Sequence, residues 1–178
     1  MEEMIRDRFS GLRAHMSALG VYGILLAATF PLLPAQAYAD GTNLAFDFKI
    51  TLSPKAAAKL KSSHETITVW ASFYGEPTHE GENHTDELGM VDLGKESFEL
   101  PGQPGVVHIT GKNAGGAKLK WVKGPPSVNV NLYTSRKSSD QNLIDCDLID
   151  GKVAKVQAKP ITVNCFLIGE PIESKSFP

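Results

Sequence analysis

The sequence predicts an all-β protein: a two-sheet antiparallel β-sandwich with one short helix, following a cleaved N-terminal signal peptide. Three observations predict it. Apolar residues recur with period two in run after run. Gly-, Pro- and Asn-rich turn signals separate those runs. One segment alone carries a helix start, Ser53-Pro54.

The export signal comes first. Arg6, Arg8 and Arg13 precede an apolar run from about Met16 to Leu33, which ends at Pro34 and Ala37-Tyr38-Ala39. Small residues at the last two alternate positions are what a signal peptidase accepts. The run is close to the roughly 20 residues that span a bilayer. Gly20, Gly23, Thr29 and the break at Pro34 favour cleavage over anchoring. Residues 1–39 are therefore expected to leave, with a cut after Ala39 or, as an alternative, after Ala37. Membrane contact is expected only if the signal is retained. Glu2 and Glu3 are unusual in a leader, and a start at Met4 would leave a more basic one. The short leader looks bacterial, so the expected location is periplasmic or secreted.

Residues 40–170 are expected to form one domain, and 171–178 a flexible tail. The chain of 178 residues carries 18 Lys+Arg and 20 Asp+Glu, a net charge of −2. The signal holds as many acids as bases, so that balance persists after cleavage. It gives no electrostatic reason to bind nucleic acid or an anionic membrane. Both cysteines, Cys146 and Cys165, lie beyond the signal. In an exported chain such a pair predicts a disulfide. Its loop of about 20 residues is worth on the order of 3 kcal/mol.

In chain order, Leu44, Phe46, Phe48, Ile50 and Leu52 alternate with polar residues as a half-buried strand. The short helix follows from Ser53-Pro54 to Leu60, with Ser as cap and Pro in the first turn. Glu65 to Tyr74 is the strongest strand: Ile67, Val69, Ala71 and Phe73 on one face, Trp70 and Tyr74 on the other. After the polar loop Gly75 to Glu87, Leu88–Leu93 and Glu96–Leu100 read as two short strands around Gly94-Lys95. Val106–Thr110 is another strand. Ala117–Lys123 alternates and reads as a strand, as does Ser127–Thr134. Leu143–Ile149 and Ile161–Ile168 close the series and put each cysteine on a core-facing position. The whole suits an immunoglobulin-like or transthyretin-like sandwich.

Such folds host many functions, so function must come from a site. No G-x-S-x-G, G-x-G-x-x-G or P-loop sequence occurs, and His64 and His108 stand near no nucleophile motif. The chain is expected to be non-enzymatic and to need no cofactor. It is read as an exported binding protein with a macromolecular partner, a protein being the first candidate. Arg136 and Lys137, on the Ser-rich loop after Thr134, are candidate recognition residues, since Arg offers bidentate contacts to carboxylate or phosphate. Trp70 and Tyr133 join them as outward aromatics able to stack on a sugar or enter an interface. An alternative is a secreted enzyme inhibitor, lysozyme- or protease-directed, acting through the 134–140 loop. A further alternative is a metal-binding protein using the 76–87 loop, where His79, His84, Glu80 and Glu82 combine imidazole and carboxylate donors.

Overall fold

The computed structural model describes residues 43–177. The expected signal over 1–39 lies outside them. Strands dominate, arranged in two sheets around a single apolar core.

The first run forms β1 (Phe46–Leu52), with Phe46, Phe48 and Ile50 buried. Helix α1 (Pro54–Ser63) starts where expected: the Ser53 hydroxyl accepts from the Ala56 N–H at 3.1 Å, and Pro54 opens the first turn. Its C-cap is His64, at φ +53, a left-handed position usually taken by glycine. β2 (Thr66–Gly75) then buries Ile67, Val69, Ala71 and Phe73 completely.

β3 (Val91–Pro101) is one long strand where two short ones were expected. Gly94 does not break it. The strand absorbs Gly94 at φ +124, with a register shift opposite Phe73 and Tyr74. A side chain at Gly94 would strike the Asn113 carbonyl, so glycine lets the 111–115 loop lie against the strand. β4 (Gly105–Ile109) follows. The next alternating segment is not a strand: Gly116–Trp121 forms a 3-10 helix. Gly115 and Gly116, both at positive φ, turn the chain there. A run of seven alternating residues fits either state, and Leu119 and Trp121 pack on the core from the turn.

β5 (Ser127–Thr134), β6 (Ile144–Cys146), β7 (Leu148–Lys152), β8 (Ile161–Leu167) and β9 (Ser176–Phe177) complete the sheets. A second helix, α2 (Val153–Ala158), lies where a plain connection was expected. Its signal was the spacing of Val153 and Val156, both buried, but it has no side-chain cap and two β-branched residues. The tail, expected to be loose, returns to the sheet as β9, parallel to β7.

The sheets have the orders β4-β1-β8-β6 and β3-β2-β5-β7-β9. Both are mixed, not purely antiparallel: β1 pairs with β8, and β7 with β9, in parallel. Local alternation reports which face is buried. It does not report which strand lies alongside or its direction. β6 and β7 are one run of chain that changes sheets at Asp147. That buried carboxylate accepts from the Asn164 N–H at 3.0 Å, the Asn164 amide at 2.6 Å and the Lys175 N–H at 2.7 Å.

Cys146 and Cys165 face each other across β6 and β8 and form the expected disulfide. Cys165 is fully buried, whereas Cys146 is half-buried at the sheet edge. Replacing both by Ala is expected to lower stability by about 3 kcal/mol, through the freedom given back to the unfolded chain. Urea unfolding of the oxidised protein and the double variant measures this. A difference below about 1 kcal/mol would contradict it.

Candidate functional site

The residue that organises the candidate site is Glu65, which begins the strongest strand run and is only 3% exposed. A carboxylate buried this far needs several donors. It has four. The Thr66 and Lys137 N–H groups donate to Oε1, each at 3.1 Å. The Ser138 N–H and hydroxyl donate to Oε2 at 2.8 and 2.6 Å. Burial alone would raise the Glu65 carboxyl, but these bonds outweigh it and bring the pKa down to about 2.

Three of these donors belong to the loop after β5. Glu65 thus pins the 135–138 segment to the start of β2. The pin is reinforced by Thr68 and Ser135, whose hydroxyls lie 2.7 Å apart. Arg136 takes φ +59, a left-handed conformation, and stands exposed at the tip. Lys137 turns back and pairs with Glu99 of β3; that ammonium holds the Glu99 carboxyl below the usual range.

The loop lies at one end of the outer face of the five-stranded sheet. Register gives the rows of that face. The first row is Glu99, Thr68 and Tyr133, and the second is Ser97, Trp70 and Asn131. The third is Lys95, Ser72, Asn129 and Asp150, and the fourth has Tyr74 beside Ser127. Trp70 is 36% exposed, with the Lys95 ammonium 5.0 Å from its ring centre. Tyr74 donates to Asp150 at 2.6 Å; its partial burial and that carboxylate push the hydroxyl up to about 12. Trp70, Tyr133, Arg136 and Lys137 were singled out separately in the sequence. The fold brings all four to one surface.

The 76–87 loop behaves differently. His79 meets Glu82 at 3.4 Å on the open surface. His84 is drawn away and stacks on Trp121, ring centres 3.6 Å apart and 15° from parallel. The loop is docked on the 3-10 segment by a bond from the Thr78 N–H to the Trp121 carbonyl at 2.8 Å. Gly81 packs on that same carbonyl, where a side chain would collide. Among the described residues no group of three or more His, Cys, Asp or Glu side chains is close enough to hold a metal ion. His79, His84, Glu80 and Glu82 are therefore not brought together as a ligand set.

Sequence reasoning missed Glu65, Glu99, Asn129 and Asn131. The two Asn were legible as outward positions of β5. Glu65 was not, because the loop it holds lies 72 and 73 residues further on.

The clamp sets a pH dependence. With its pKa depressed, Glu65 contributes stability that is complete above about pH 4.5 and lost as the pH falls towards 2. The full effect is about 3 kcal/mol. Glu65→Gln places an amide donor against the Ser138 donors, so it is expected to destabilise by about 2–3 kcal/mol at pH 7. The gap from wild type should then close between pH 4.5 and 2. Urea midpoints across that range test both points, and a gap that does not change with pH would refute the clamp's ionisation. In comparisons with known proteins, no family model, no curated protein and no solved structure matches the chain.

Proposed function

We propose that the chain is an exported, non-enzymatic protein of immunoglobulin-like or transthyretin-like build. It binds a macromolecular partner in the cell envelope or outside the cell. The binding surface is the outer face of β2 and β5 together with the clamped 135–138 loop. The observation that carries this reading is the convergence of Trp70, Tyr133, Arg136 and Lys137 on one surface, held by a buried carboxylate. A loop fixed before binding loses little conformational freedom when it binds. Exposed aromatics beside a cation are the residues that dominate recognition surfaces.

The same clamp supports the second reading, an inhibitor acting through the 134–140 loop. The left-handed Arg136 does not fit the extended backbone that a protease cleft takes from a substrate. Of the two inhibitor targets, lysozyme suits this loop better.

Co-sedimentation with isolated cell envelopes tests the main reading. The Trp70→Ala, Tyr133→Ala double variant is expected to bind at least about tenfold more weakly while keeping a native circular-dichroism spectrum at the assay temperature. Equal binding by the variant would remove the face from the site. A lysozyme assay separates the inhibitor reading: inhibition by the wild type that disappears in Arg136→Ala would favour it, and no inhibition would end it.

A further inference from the structure

We infer that the ligand of this face is a neutral polysaccharide chain, an inference that rests on the reading above and adds the chemistry of the ligand. Three features of the face carry it.

The aromatic rings are arranged for an elongated ligand. Trp70 and Tyr74 lie on the same side of β2, about 13 Å apart at the usual rise of a strand. Tyr133 lies one row before Trp70 on the neighbouring strand. The face of an aromatic ring is negative. It attracts the weakly positive C–H patch that a sugar ring presents on one side. Rings spread along a strand match a chain of sugars better than a single one.

Neutral polar groups fill the space between the rings. Among the described residues, the side-chain hydrogen bonds of this face run between Thr68 and Ser135, Tyr74 and Asp150, and Lys137 and Glu99. The side chains of Ser72, Ser97, Asn129 and Asn131 and the Tyr133 hydroxyl take no part in them. Amides and hydroxyls both donate and accept, as sugar hydroxyls do. A polysaccharide would replace the water on these groups bond for bond. An apolar protein surface would leave them buried and unpaired, at roughly 1–3 kcal/mol each. That asymmetry favours a glycan over a protein partner.

The charges nearly cancel. Lys95, Arg136, Lys137 and Lys152 stand against Asp92, Glu99 and Asp150, and Lys137 is already paired with Glu99. The face offers no field to draw in a polyanion.

Affinity electrophoresis in native gels decides the matter. The gels carry dextran, a mixed-linkage β-glucan, a glucomannan or a galactan as neutral probes, and heparin or polygalacturonate as anionic ones. At least one neutral probe is expected to retard the protein. Trp70→Ala and, separately, Asn131→Ala should weaken that binding at least about tenfold, with each variant still folded by circular dichroism at the assay temperature. Lys61→Ala, on the exposed last turn of α1 and away from this face, should leave it within about twofold. Retardation by none of the neutral probes overturns the inference, as does binding that survives Trp70→Ala. Retardation by the anionic probes alone, lost in Lys95→Ala, also overturns it. Envelope binding that needs Trp70 and Tyr133 but no neutral glycan would sink this inference while sparing the reading of the face.

Discussion

The structure depends on the complete burial of one side of β2. Ile67, Val69, Ala71 and Phe73 have no exposed surface, and they fix the strand between β3 and β5. A slip of one residue would send all four into water and bring Thr68, Trp70, Ser72 and Tyr74 inward. Each apolar side chain is worth roughly 1.5–3 kcal/mol in burial, so that slip is prohibitive. The outer face is thus set by the inner one. The outward residues hold their places because of what lies behind them.

Two buried carboxylates extend this order to the ends of the sheets. Glu65 ties the loop after β5 to the start of β2, and Asp147 ties β8 and the tail to the corner where the chain changes sheets. Neither is bonded to a lysine ammonium or an arginine guanidinium; both are satisfied by backbone N–H and hydroxyl or amide donors. A carboxylate held in this way constrains backbone geometry more closely than an ion pair between flexible side chains would. Glu96 works similarly, accepting from the Thr110 and Gly111 N–H groups.

Much of the fold was legible in the sequence. Period-two runs revealed most of the strands and the inward face of each, and Ser53-Pro54 marked α1. The disulfide was legible from the even cysteine count and the expected export. Short elements were misread where few residues had to decide between states: the 3-10 turn at Gly116–Trp121 looked like a strand, and α2 looked like a loop. The parallel pairings of β1 with β8 and β7 with β9 were out of reach, because direction is a tertiary choice with no local imprint. The candidate site divides the same way. Trp70 and Tyr133 followed from alternation, and Arg136 and Lys137 from loop composition. Their meeting on one surface came from strand pairing and from a carboxylate some 70 residues away.

The place of β8 has a bearing on how the chain is made. It is the penultimate strand in sequence, yet it lies between β1 and β6 in its sheet. While a ribosome is still making the segment before Ile161, that sheet has a gap at its middle, and β1 has only β4 on one side. Contacts this distant in sequence close slowly. That four-stranded sheet therefore stays open until almost all of the chain has been synthesised. A sheet whose centre is made near the end delays its own closure by topology alone, however strong its local strand signals are.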